Sequence, residues 1–243
     1  MSTDAELFPR SRTEIAPDAV HVPDWLDADR QRELLEACRV WARPPAGLRT
    51  VRTPGGGTMT SRQVCLGWHW YPYRYARTVA DGDGAPVKPF PRWLDDLGRR
   101  AVTDALGARA ATAAYDIALI NFYDADARMG MHRDSDEKSD APVVSLSLGD
   151  SCLFRFGNTQ TRARPYTDVE LRSGDLFVFG GASRLAYHGV PRVYAGTAPP
   201  ELGLTGRLNV TLRVSGFQRP CGASGAGPPH GPPDERIMGD SPS

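Results

Sequence analysis

No run of apolar residues in this 243-residue chain is long enough to span a bilayer, which argues against a helical membrane protein. The opening stretch MSTDAELFPRSRTEI lacks the apolar core of a secretory signal, so a cytoplasmic setting is expected. Cysteine is scarce and scattered: Cys38, Cys65, Cys152 and Cys221 form no CxxC pair and no zinc spacing. That argues against a disulfide framework or a structural zinc and for reduced thiols. An excess of either charge is also missing. Lys plus Arg and Asp plus Glu both number 29, so the formal net charge is zero. Nucleic-acid binders usually carry a basic excess; any basic surface here must be local, and the balance leans slightly toward other partners. No internal repeat is visible. No serine nucleophile stands out, because Ser145 and Ser147 have no evident His or Asp partners.

The apolar pattern that is present divides the chain into four parts. Residues 1–24 read as an irregular leader, able to pack on the body. Residues 25–114 carry two helices. In Asp27–Ala42, Leu34, Leu35, Cys38 and Trp41 recur at helical spacing, with Asp27 or Asp29 as the cap. In Trp93–Leu106 the expected inward residues are Trp93, Leu94, Leu97, Ala101 and Ala105. Between the helices, Arg43–Gly57 reads as loop, Thr58–Trp70 as partly extended, and Asp81–Pro91 as a Gly/Pro loop. Residues 115–217 change character: IALINFY, VVSLSL, SCLFRFG, DVELRSG, DLFVFG and LNVTLRVSG are short strand-like runs separated by turns. The expected fold is mainly β with flanking helices, its core a double-sheet jelly roll. Residues 218–243 are dense in Gly, Pro and Ser and read as a disordered tail.

The chemistry centres on Met131–Ser147. His132 and Asp134 are two apart on what reads as extended chain, so both side chains point the same way. His188 follows another strand-like run, Asp175–Phe179. Two histidines and a carboxylate are the facial triad of non-haem Fe(II) oxygenases, which leaves three octahedral positions open. The competing reading of His-x-Asp is a surface loop pair. Arg207 and Arg213 lie six apart around a strand and share a face; there they could clamp a carboxylate through paired hydrogen bonds, or simply be surface charges at strand ends. Cys152 and Met131 read as packing residues, and Asp124 and Asp126 as solvated loop charges.

Several spaced motifs in one order then resemble a known family. They are Ile120–Tyr123, His132-Arg133-Asp134-Ser135-Asp136, Val144–Gly149, Phe154–Gly157, Ser173-Gly174-Asp175, Gly180–Arg184, Tyr187-His188-Gly189 and Arg207–Arg213. Over about residues 55–217 the chain resembles the AlkB family of Fe(II)/2-oxoglutarate dioxygenases, in particular its bacterial DNA-repair members. The resemblance implies a double-stranded β-helix core with an N-terminal α+β nucleotide-recognition lid. It makes His132, Asp134 and His188 the iron ligands, and it assigns 2-oxoglutarate to Asn121, Tyr123, Arg207, Asn209 and Arg213, with Arg207 on the distal carboxylate. In the lid it puts Trp68 against the target base, with Tyr75 seven residues on, although several of Trp68, Trp70, Tyr71, Tyr73 and Tyr75 must be core. Asp136 matches a lesion contact and Arg162 a substrate arginine, with Arg164 as a rival. Arg184 could equally be a structural loop residue.

The implied activity is oxidative demethylation of N-alkylated bases in DNA or RNA, with Fe(II) as cofactor and 2-oxoglutarate and O2 as co-substrates. Succinate, CO2 and formaldehyde would be released, and no catalytic group beyond the metal centre is needed. Alkylated nucleic acid is the expected partner. No membrane and no obligate protein partner are expected, and the chain reads as a monomer. Two alternatives stay open: the same iron chemistry on a protein or small molecule, and a non-catalytic binding module on the same fold. Intact ligand and clamp residues argue against the second.

Overall fold

Seven consecutive buried residues, Val143–Gly149, show how the fold is layered. A strand that buries both faces must lie between two layers, and its side chains alternate between them. Here Val144, Leu146 and Leu148 join an apolar cluster with the helices, while Val143, Ser145 and Ser147 point to the opposite face. The computed structural model describes residues 9–217. The elements run β1 (Thr13–Ala16), β2 (Ala19–Val22), α1 (Ala28–Trp41), β3 (Arg49–Arg52), β4 (Thr58–Leu66), β5 (His69–Tyr71), β6 (Arg74–Ala76), α2 (Arg92–Leu106), β7 (Ile117–Tyr123), β8 (Met129–His132), β9 (Val143–Gly149), β10 (Ser151–Phe156), β11 (Thr167–Leu171), β12 (Leu176–Phe179), β13 (His188–Tyr194) and β14 (Arg207–Arg213).

Eight strands form a large sheet in the order β1-β2-β12-β9-β14-β7-β4-β3, and four form a smaller one in the order β11-β10-β13-β8. The two face each other as a jelly roll, and β5 and β6 make a separate hairpin. Both helices cover the outer face of the large sheet. Leu34, Leu35 and Cys38 of α1 and Leu94, Ala101, Val102 and Ala105 of α2 pack in one cluster with Ile120, Leu146 and Val210. The side chain of Asp27, not Asp29, caps α1 by accepting from the Arg30 amide at 2.8 Å. Between the sheets, Phe154, Phe156, Phe177 and Phe179 fill one end of the sandwich.

Three local expectations change. Residues 13–22 are not irregular: β1 and β2 form a hairpin, and β2 pairs with β12 so that Val20 enters the core. Four-residue strands are too short to show a period. β3 likewise lies within the stretch read as loop, paired with β4 at the edge of the sheet. Trp93 is 44% exposed and stacks on Trp41, their rings 5.8 Å apart, while Gly98 and Val102 take inward positions on α2. The division expected at residue 115 runs across the large sheet, because β4 hydrogen-bonds to β7 from Arg62 to Leu66. The tail expected at 218–243, with Cys221, lies outside the described residues. Cys38, Cys65 and Cys152 are buried and free, and no helix among the described residues is long and apolar enough to cross a membrane.

Candidate metal and co-substrate site

The inner face of a β-sandwich is ordinarily apolar, because an unpaired polar group buried there costs free energy. Here that rule fails along three neighbouring strands. Asn121 and Tyr123 of β7, Ser145 of β9, and Arg207, Asn209, Thr211 and Arg213 of β14 all line one cavity of roughly 270 Å³ between the sheets. The registers Arg207↔Tyr123 and Asn209↔Asn121 bring them side by side. The odd positions carry the polar side chains; the even ones, Leu208, Val210 and Leu212, join the helix-side core.

The opposite wall carries the triad. His132 ends β8, His188 begins β13, and the two are register partners, their rings 4.5 Å apart. Asp134 follows two residues later, and one ligand atom from each of the three lies within 4.8 Å of the others. Each histidine places Nδ1 3.0 Å from a backbone carbonyl, that of Gly130 for His132 and of Ala186 for His188. A carbonyl only accepts, so Nδ1 carries the proton and Nε2 keeps its lone pair. The two Nε2 atoms stand 3.6 and 3.7 Å from the Asp134 carboxylate oxygens. Burial, reinforced by His132 and Arg213, drives His188 down to about 4 against the opposing pull of the Asp134 charge and the hydrogen bond to the Ala186 carbonyl, so the imidazole is neutral at physiological pH. Burial alone would raise Asp134, but Arg213 with the two histidines holds it at about 2, as an anion. Its Oδ2 is buried without a hydrogen-bond partner. An unpartnered buried carboxylate oxygen facing two imidazole Nε2 atoms fits a divalent cation, and two nitrogens with one oxygen suit Fe(II).

Arg207 is the second unusual group. It is 1% exposed, yet no carboxylate among the described residues pairs with it. Its Nη2 donates to Ser147 Oγ at 3.0 Å, and its Nε has no partner. A buried guanidinium in this state is matched to an anionic ligand. Asn209 donates to Ser145 Oγ at 2.7 Å and accepts from Thr211 Oγ1 at 2.8 Å, while Asn121 accepts from Gln63 Nε2 at 3.1 Å. Tyr123 is buried with its hydroxyl 3.7 Å from Met129 Sδ; burial raises it, so it stays a neutral donor. Arg213 reaches Asp134 Oδ1 at 2.6 Å and Glu137 Oε1 at 2.9 Å.

The lid residues fall differently from the sequence expectation. Asp136 lines the cavity, but Trp68 and Tyr75 do not; Trp70 does. The chain turns at Gly67, whose φ is +77°, and a Cβ there would sit 1.9 Å from the Asp116 carbonyl oxygen. Trp68 therefore packs beside Asp116, donating Nε1 to its carboxylate at 3.3 Å, with Arg77 3.5 Å over its ring and Phe217 at its edge. Trp70 instead donates Nε1 to Asp136 Oδ2 at 2.8 Å. The Tyr75 hydroxyl hydrogen-bonds to Glu137. Arg162 does not line the cavity; it lies 5.8 Å over the Tyr187 ring, which Arg133, a lining residue, also covers at 4.9 Å. Arg164 sits over Tyr166 instead. Arg184 ties down the loop after the triad, donating to Asp134 O at 2.6 Å and Ala141 O at 2.9 Å and pairing with Glu137.

Three residues that the sequence reading missed are now visible. Glu137 is a buried anion between Arg213 and Arg184; burial opposes its charge, but Arg213 and the Tyr75 hydrogen bond keep it below the usual carboxylate range. Gln63 continues the polar row from Asn121. Arg49 donates to the Trp70 carbonyl at 2.5 Å and to Asp81 at 3.0 Å.

Residues 18–213 match the family described as the 2OG-Fe(II) oxygenase superfamily. The chain belongs to that superfamily. Within it the chain belongs to the AlkB family: it is 36% identical over 169 residues to the alpha-ketoglutarate-dependent dioxygenase AlkB of Salmonella typhimurium, covering 68% of this chain and 76% of that one. It is 31% identical over 221 residues to the DNA N(6)-methyladenine demethylase ALKBH1D of Arabidopsis thaliana, covering 82% of this chain but 50% of the relative. This AlkB-family chain thus spans about half the length of that plant protein. The solved structure of OsALKBH1 superposes with a TM-score of 0.75 at 31% identity, over 83% of this chain and all of the other. Fe(II) is accordingly the cofactor, and 2-oxoglutarate and O2 are the co-substrates.

Proposed function

We propose that this AlkB-family chain oxidatively removes alkyl groups from base nitrogens in nucleic acid. The observation that carries the reading is the pairing, across one cavity, of a metal-ready triad with a buried guanidinium that has no counter-ion. His132, Asp134 and His188 hold Fe(II). Arg207 holds the distal carboxylate of 2-oxoglutarate, with Asn121, Tyr123, Asn209 and Arg213 along the same wall. When bound, iron and co-substrate supply the oxidising chemistry: O2 and 2-oxoglutarate become CO2 and succinate, and the hydroxylated N-alkyl group falls away as an aldehyde, formaldehyde from a methyl.

The residues of this chain orient and enclose. Arg213 spans Asp134 and Glu137 and fixes the carboxylate ligand. Trp70 supplies a flat wall for one base, and Asp136 an acceptor at its edge. Arg133 supplies positive charge at the rim despite the neutral whole. Nucleic acid is favoured as substrate because the relatives named above include demethylases of that class. We read the chain as cytoplasmic, on its free buried thiols, and as a monomer.

The test is mass spectrometry of N-methylated DNA and RNA oligonucleotides and methyl-lysine peptides, each incubated with the chain, iron, ascorbate and 2-oxoglutarate. Loss of the methyl from oligonucleotides, with formaldehyde and succinate, is expected. Turnover of the peptides alone would refute the nucleic-acid reading and leave the iron chemistry standing.

A further inference from the structure

At the mouth of the cavity the β5–β6 hairpin turns through Pro72 and Tyr73, between the paired residues Tyr71 and Arg74. Proline cannot take a positive φ. The positive φ of this turn therefore falls on Tyr73, at 68°. Glycine or asparagine is usual there, because a Cβ in that region crowds the following carbonyl. Tyr73 gains no packing in return: it is 73% exposed, more than any other large apolar side chain among the described residues. The hairpin that carries it is firmly mounted. Arg49 holds the Trp70 carbonyl at 2.5 Å, and Asp81, which pairs with Arg49, also binds His69 Nε2 at 2.6 Å. A strained residue held rigidly at a cavity mouth points to use rather than accident.

We propose that Tyr73 stacks on the nucleobase next to the target, occupying the place in the stack that the target leaves when it turns into the cavity. The inference rests on the nucleic-acid reading above. An enzyme that takes one base out of a strand gives up stacking on the neighbour, and a flat ring at the entrance replaces it whatever the neighbour's identity. Trp70 lies inside the cavity and addresses the target; Tyr73 lies at its rim and addresses the next residue of the strand.

The experiment compares kcat/KM for a methylated single-stranded oligonucleotide with that for the same methylated nucleoside monophosphate, which has no neighbour. The variants are Tyr73→Gly and Tyr73→Phe. Glycine relieves the strained φ, so its thermal midpoint should equal or exceed that of the unaltered chain. Its oligonucleotide-to-monophosphate ratio should fall about 5- to 150-fold, the range for one lost base–aromatic stack. Its equilibrium affinity for the oligonucleotide should fall likewise. Phenylalanine keeps the ring and should keep the ratio. An unchanged ratio in Tyr73→Gly overturns the inference. So does an equal loss on both substrates, which would put Tyr73 in the wall of the base pocket. Failure of the unaltered chain to act on any nucleotide would overturn the nucleic-acid reading, and this inference with it.

Discussion

Arg207 offers the sharpest trial of the site, because the structure predicts opposite effects of one substitution on stability and on binding. In the ligand-free protein its guanidinium is buried with only Ser147 Oγ at 3.0 Å and the Asp150 carbonyl at 3.5 Å as acceptors, and Nε has none. Arg207→Met removes a desolvated charge and keeps most of the volume, so the ligand-free thermal midpoint should hold or rise. Binding of 2-oxoglutarate should then be lost. The assay is thermal unfolding of the metal-loaded, oxygen-free protein with and without 2-oxoglutarate. A ligand at 100 times its Kd stabilises by about 2.7 kcal/mol, which at about 2–4 °C per kcal/mol for a chain of this size is a rise of about 5–11 °C. Arg207→Lys keeps the charge but loses the two-pronged contact. Losing one charge-assisted hydrogen bond, about 1.5–3 kcal/mol, weakens binding roughly 10- to 150-fold. At the same ligand concentration the rise should shrink to about 1–6 °C. If Arg207→Met retains the full rise, Arg207 is not the clamp. If its ligand-free midpoint instead collapses by the equivalent of about 3–5 kcal/mol, as when an internal ion pair is broken, the arginine is structural.

His132→Ala, Asp134→Ala and His188→Ala should each abolish succinate formation and weaken iron binding, since each removes one of three protein ligands; near-normal turnover in any one would sink the assignment. Trp68→Ala should act on stability, costing about 3 kcal/mol by cavity formation, with little change in oligonucleotide kcat/KM below the unfolding range. The reverse outcome would return Trp68 to the base pocket. Asp175 is buried, which alone would raise it, but hydrogen bonds from His21, Arg10 and the Arg172 and Asp24 amides hold it at about 2. Its folded value lies below the unfolded 3.8, so its contribution of about 2–3 kcal/mol is present above that pH and fades as pH falls toward 2; Asp175→Asn should flatten that acid limb of the stability curve.

What the sequence disclosed depended on periodicity. The strand period placed His132 beside Asp134 and put Arg207 and Arg213 on one face, and both arginines do line the cavity. Length defeated the same reasoning at β1, β2 and β3, four residues each. Crowding defeated it in the lid. Trp68 and Trp70 have the same parity, so only the turn at Gly67, pressed against Asp116, decides which faces the cavity. Glu137 was hidden differently. It sits in the polar run SDEKSD, where nothing local distinguishes it from its solvated neighbours. Its partners Arg184, Arg213 and Tyr75 come from 47, 76 and 62 positions away.

The polar interior itself separates scaffold from ligand site. Along the inner face, Gln63 bonds Asn121, Asn209 bonds Ser145, and Thr211 bonds Asn209. That row is satisfied internally, as buried polar groups generally are. Four buried side-chain atoms among the described residues lack a partner: Ser61 Oγ, Asp134 Oδ2, Arg207 Nε and Arg213 Nε. Three of the four belong to residues that line this one cavity. They are also of opposite character, one carboxylate oxygen among imidazoles and two guanidinium nitrogens. A cation alone would answer the first and an anion alone the others. A metal ion together with a dicarboxylate answers all three in the same space.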